Sequence, residues 1–376
     1  MDSQKVWNNL ILCATDAGGV RNLAPLAPVC RARGFHPIIL TTQARMGLWG
    51  DHVSPGELHL TDDLSSQDLD GLLGLRRPRA CICGTTRFVS PDRLLVQAAR
   101  KAGIRSVVVL DEWFNYGLRF ADPGTGELVY LPDAVAVQDQ QAWEEATAEG
   151  LPARICHITG SPALAELTQR ARLLAAAPPA LPEILVNVAA RPVITFLSET
   201  HAADYGTGPD APGQFGPFIG YNEVTVRQDL PEILARLGER VILVEKLHPA
   251  ATGDPEPGAL IPENVDFRST RETDLWALMW HSAVIIGMRS MALLEANILG
   301  CKAVSYQPGL IGPELCTAVR LGLIPKVERP EDLASWLAPR LRQKRSPRRI
   351  VVQHDFARPG AADRIIDIAL SYIEEP

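Results

Sequence analysis

The sequence predicts an α/β protein with two Rossmann-like domains facing across a cleft, on three observations. Short apolar runs recur along the chain, each followed by a polar or glycine-bearing loop and then a helical pattern. The cycle repeats in both halves of the 376 residues. An alanine- and proline-rich tract, residues 175–182, separates the halves and reads as a crossover.

Residues 7–14 form the first predicted strand and end in TDAGG. A helix over 23–33 and a strand over 36–41 follow, which is one βαβ unit. Strand 80–83, helix 91–102 and strand 106–110 repeat the cycle, as do strand 134–137, helix 140–149, strand 155–158 and a helix from 162 to about 174. The second half offers strand 192–197, helix 225–237, strand 240–245, helix 273–281, strand 283–286, helix 290–299, strand 302–305 and helix 330–341. A last helix over 361–373 is placed to cross back onto the first domain. The expected domains are therefore 1–178, 179–358 and this closing helix, 359–376.

A net charge of −7 argues against a broad nucleic-acid surface, because binding the phosphate backbone needs a basic stripe. No apolar stretch reaches the ~18 residues of a membrane span. The amino-terminal segment lacks a basic leader, so a cytoplasmic protein is expected. The basic run 340–349 leaves peripheral membrane contact open beside the plainer reading of a solvated face. Cys13, Cys81, Cys83, Cys156 and Cys301 lie in or beside apolar runs, as free thiols in a reducing compartment do. The histidines are scattered and no metal-ligand spacing occurs, so no metal is expected.

In parallel sheets ligands bind beyond the carboxyl ends of strands, and four such loops carry chemistry. In the first, Asp16, Gly18, Gly19, Arg21 and Asn22 precede a helix; the glycines admit a ligand to the backbone, and the plain alternative is a tight turn capped by Asp16. In the second, Asp111 and Glu112 stand beside Trp113 and Tyr116, two carboxylates with an aromatic wall; the alternative is a cap and packing. In the third, Lys246 and His248 set a fixed and a titratable donor side by side, suited to a diphosphate, or else structural. In the fourth, Gly287, Arg289 and Ser290 open a helix as a phosphate cradle, with Glu295 inside it; a solvated helix acid is the alternative for Glu295. Glu199 and His201 form a candidate acid–base pair, and Gly160-Ser161-Pro162 a hinge-side turn.

The segments KLHP and GMRSMALLEANILGCKAVSYQPG resemble the second domain of the nucleotide-sugar superfamily that includes UDP-N-acetylglucosamine 2-epimerases, CDP-glycerol glycerophosphotransferases and related polysaccharide-synthesis glycosyltransferases. TDAGGVRNLAPLAPVCRARG resembles the first strand, loop and helix of the same two-domain fold, GT-B. The resemblance implies a nucleotide-diphosphate sugar as substrate with no tightly bound cofactor. It sets Lys246, His248 and Ser290 on phosphate and Glu295 on ribose. Met288 and Arg289 stand where related proteins carry small residues, which implies a narrower, more positive turn.

The expected activity is glycosyl transfer from such a donor to a small-molecule or glycan acceptor. Asp16, Asp111 or Glu112 would be the base. A 2-epimerase, a CDP-polyol phosphotransferase and a non-catalytic sugar-nucleotide binder are the alternatives. Nucleotide, sugar, acceptor, stereochemical outcome and oligomeric state are not legible in the sequence.

Overall fold

The computed structural model describes residues 8–371, apart from 63, 87, 188–190, 252, 254–260, 344–349 and 351–353. Trp7 of the first predicted strand, most of the basic run 340–349 and the end of the predicted last helix lie outside the described residues. The chain divides into two compact units, residues 1–169 with 352–376, and residues 170–351.

The first unit is built on β1 (Asn9–Cys13), β2 (His36–Thr41), β3 (Leu58–Leu60), β4 (Ala80–Cys83), β5 (Arg105–Val109), β6 (Ala134–Val137) and β7 (Cys156–Ile158). All pairings are parallel, in the order β3-β2-β1-β4-β5-β6-β7. Leu10, Ile11, Leu12 and Cys13 are all fully buried. A strand covered on both faces needs an unbroken apolar run, which is why β1 shows no alternation. The closing helix Ala361–Leu370 places Ile365, Ile366 and Ala369 in the same core as Val107, Val109 and Ala134.

The second unit repeats the plan with β8 (Val193–Leu197), β9 (Val241–Lys246), β10 (Val265–Thr270), β11 (Val284–Gly287), β12 (Ala303–Tyr306) and β13 (Lys326–Val327). The order is β10-β9-β8-β11-β12-β13, again all parallel. In both sheets the chain starts in the middle, winds one way, then returns and winds the other. The reversal falls between β1 and β4, and between β8 and β11, and a doubly wound sheet opens its ligand crevice at that point. The two Rossmann-like α/β units predicted from the sequence are thus present.

Three local differences have physical causes. The first helix begins at Ala17, not at residue 23, because Asp16 caps it and Gly18 and Gly19 fall in its first turn; a second helix, Leu26–Ala32, follows. Strand β3 has only three residues, too few for a period. Strand β10 is largely half-buried, and its VDFRST sequence lacks the apolar run that marks the other strands.

Glu245 on β9 is 0% exposed and receives Nε and Nη2 of Arg227, both at 2.7 Å. This ties helix Glu223–Leu237 to the sheet. Glu245→Ala leaves the guanidinium half-buried without its partner, so unfolding free energy should fall by about 3–5 kcal/mol. A denaturant midpoint close to that of the unaltered protein would contradict this. All seven cysteines are buried thiols outside any disulfide.

Candidate functional site

Each unit gathers polar groups at its own switch point. In the first, Asp16 follows β1 and its Oδ1 accepts the Gly19 N–H at 2.6 Å. Burial raises its pKa well above the ordinary carboxylate value, and the neighbouring Asp111 raises it further against the opposing Gly19 N–H. Asp111 follows β5 and pairs with Arg119 at 2.7 Å. Behind them Thr15 donates to Asp92, a 1% exposed carboxyl that burial pushes up to about 6.

Sequence reasoning missed Arg119. It is 5% exposed and donates from Nη1 to Asp111 and to the Thr85 carbonyl. Burial opposes its charge, but Asp111, Glu112 and Asp16 outweigh that and raise its pKa. Its Nε is buried with no hydrogen-bond partner among the described residues. Asn115, in the left-handed region at φ 57°, turns the chain so that Arg119 comes back beneath Asp111. An Asn-Tyr-Gly turn is the one sequence signal that could have found it.

The glycines are here for space. A Cβ on Gly18 would lie 1.8 Å from Asp111 Oδ2, and one on Gly19 2.7 Å from Asp16 Oδ1. Asp111 cannot yield without breaking its pair with Arg119. Gly18→Ala should therefore destabilise the protein by about 3 kcal/mol, read as a lower denaturation midpoint. An unshifted midpoint would show that Asp111 is free to move.

Other nominated residues fall differently. Trp113 and Tyr116 are core residues and offer no stacking wall: each is 1% exposed, Trp113 donates to Asp139 at 2.9 Å and Tyr116 to Glu145 at 3.1 Å. The loop after β5 folds inward and carries both into the interior. Asn22 is also buried and accepts from Ser161 at 2.7 Å, fastening the Gly160-Ser161-Pro162 turn to the first helix. Arg21 is exposed, and Glu112 is half-buried with its carbonyl accepting from Gln138.

In the second unit Glu199 follows β8 and its Oε1 accepts the backbone N–H groups of Met288, Arg289 and Ser290 at 3.2, 2.7 and 3.0 Å. The cradle that the sequence suggested for phosphate thus holds a carboxylate of the chain itself. Glu199 Oε2 lies 3.1 Å from Nε2 of His201, which is 4% exposed and packs edge-on against Tyr205 and Tyr221. Burial pushes the Glu199 pKa up, but His201, the Arg289 N–H and the Arg289 guanidinium together bring it below the usual value. Arg289 donates to Tyr205 at 3.2 Å, and Ser290 Oγ accepts from Ala292. Gly287 lets Leu293 approach, for a Cβ there would meet it at 3.0 Å.

Lys246, at the end of β9, is half-buried and donates to the Arg271 carbonyl; desolvation lowers its pKa. His248 is exposed, its Nδ1 accepting from Ala250 at 3.2 Å. Glu295 is half-buried and accepts from Trp276 at 2.8 Å. Among the described residues no group of three or more His, Cys, Asp or Glu is placed to hold a metal, and no helix is long and apolar enough to cross a membrane.

No protein-family model matches the chain, and a search of curated proteins finds no match. Solved structures do match over nearly all of its length. UDP-GlcNAc 2-epimerase from Methanocaldococcus jannaschii aligns at 12% identity and TM-score 0.63, covering 96% of this chain and 98% of that one. UDP-N-acetylglucosamine 2-epimerase from Rickettsia bellii aligns at 15% and 0.61, covering 97% of each. UDP-GlcNAc 2-epimerase from Neisseria meningitidis bound to UDP-GlcNAc aligns at 13% and 0.58, covering 96% and 99%. At such identities the likeness establishes the two-unit GT-B-like fold.

Proposed function

We propose that the protein is a glycosyltransferase that moves a sugar from a nucleotide-diphosphate donor to a hydroxyl of a small-molecule or glycan acceptor. The observation that carries this reading is the position of Asp16 directly after β1, capping the first helix through the Gly19 N–H at 2.6 Å. It stands at the switch point of the first sheet, with its proton affinity raised by burial and by Asp111. Asp111 is itself held by Arg119. One carboxylate of heightened basicity beside a second that is held in an ion pair suits a reaction that needs a single proton acceptor.

In this mechanism Asp16 takes the acceptor's hydroxyl proton while that oxygen bonds to the anomeric carbon. The bond from that carbon to the diphosphate oxygen breaks, and charge gathers on the leaving group. Positive donors offset such charge; within the second unit Lys246, His248 and Arg289 are the candidates for binding a diphosphate, and Glu295 for binding ribose hydroxyls. The likeness to structures described as acting on or holding UDP-GlcNAc supports a nucleotide sugar as the donor class. It also favours a second reading, 2-epimerisation, for which Asp111, Glu112 and Glu199 are the candidate acids.

The test is incubation of the purified protein with uridine, cytidine, guanosine and thymidine diphosphate sugars, without acceptor, followed by mass spectrometry. A bound but unchanged donor is the expected result. An altered sugar or free nucleotide diphosphate would overturn the transferase reading in favour of the epimerase, and absence of binding to every donor would overturn both.

A further inference from the structure

The amino-terminal edge of the first sheet holds a second polar cavity, of about 660 Å³, that the site described above leaves unused. Arg79 stands just before β4, Arg105 opens β5, and Arg100 comes from the last turn of helix Pro91–Lys101. Six residues of extended chain separate Arg105 from Asp111, so the two places lie about 20 Å apart, at opposite ends of the same strands.

Three arginines and one acidic residue are among the described residues that line this cavity, in a chain whose net charge is −7. That carboxylate, Asp133, is committed elsewhere: its Oδ2 accepts from the backbone and hydroxyl of Ser106 at 2.7 and 3.1 Å. Structural duties take little of the arginines' capacity. Among the described residues, Arg105 gives only Nε, to the Ile368 carbonyl at 2.8 Å, and Arg100 gives only Nη2, to the Leu131 carbonyl. Arg79 makes no side-chain hydrogen bond or ion pair among the described residues. Each guanidinium carries five N–H donors in a planar fork that matches phosphate oxygens, and most of these donors have no protein acceptor among the described residues. The volume lies within the range of small-ligand pockets.

We infer that this cavity is a second ligand site, which takes a phosphorylated small molecule carrying at least two negative charges. Its ligand reaches the protein without competing at Asp16, and the site stands whether or not the transferase reading does.

Hydrogen–deuterium exchange of the full chain with inorganic pyrophosphate tests it. Pyrophosphate should protect the backbone around residues 101–107 and 131–134, and Asp16→Asn should leave that protection intact. The double variant Arg79→Gln/Arg100→Gln alters two exposed side chains and gives up one exposed hydrogen bond, to the Leu131 carbonyl, so its melting temperature should move little. It should lose the protection and weaken pyrophosphate binding about tenfold or more, the least that losing one charge-assisted hydrogen bond gives. A parallel arm with uridine diphosphate identifies the source: tighter binding than pyrophosphate marks a nucleotide, equal binding a free polyphosphate. Absence of protection, protection that survives in the double variant, or equal protection by citrate at matched ionic strength would each overturn the inference.

Discussion

Asp16→Asn should nearly abolish turnover while making the protein more stable. Asparagine caps a helix as well as aspartate does, so the hydrogen bond to the Gly19 N–H survives the change. What disappears is a buried negative charge beside Asp111. Relieving that repulsion should add about 0.5–2 kcal/mol at neutral pH, the gain seen when a functional site is relaxed. Losing the proton acceptor should cost about 10²–10⁴ in kcat. The pH dependence has a definite sign. Because folding raises the Asp16 pKa, its stability contribution is full below the unfolded value near 3.8 and is lost as pH rises through the folded pKa. The stability advantage of the variant should therefore grow with pH, measured by denaturant melts on either side of neutrality. A variant that is both active and unchanged in stability would remove Asp16 from the site.

Glu199→Ala should act in the opposite direction on stability and open the second unit to anions. Three backbone N–H groups and His201 lose their partner at once. Removing one member of such a buried pair costs about 3–5 kcal/mol. The vacated N–H groups are then offered to any anion, and inorganic pyrophosphate should bind this variant more tightly than the parent and restore part of the lost stability. Glu199→Gln keeps an oxygen for the N–H groups and should fall between the two. Folding lowers the Glu199 pKa, so the stability it supplies is present above about 4.5 and fades as pH falls through the folded value. Unaltered stability of Glu199→Ala at pH 7 would mean that the carboxylate does not organise this turn.

These two residues also mark how far the sequence can be read. Asp16 was legible because it sits between a fully apolar strand and a pair of glycines, a local pattern. The strands β1, β5, β8 and β11 were legible for the same reason, since burial on both faces leaves an unbroken apolar run. The ion-pair partner of Asp111 was not, because Arg119 lies eight residues downstream in an irregular turn with no period to announce it. The occupant of the phosphate cradle was equally hidden: Glu199 meets Met288, Arg289 and Ser290 only after two strands that are distant in sequence become neighbours in the sheet. The inward fold of the loop after β5 likewise put Trp113 and Tyr116 in the core, a choice that the aromatic composition alone does not reveal.

The burial of every thiol turns the protein into its own chemical clock. Cys13, Cys30, Cys81, Cys83 and Cys156 belong to the first unit, and Cys301 and Cys316 to the second. Burial pushes Cys30, Cys81 and Cys316 up to about 12, so none offers a thiolate to an alkylating reagent while its unit is closed. Each modified cysteine then records an opening event, and peptide mapping assigns it to one unit or the other. Pulse alkylation across a denaturant series would time the opening of the two halves separately, with no label or tag introduced.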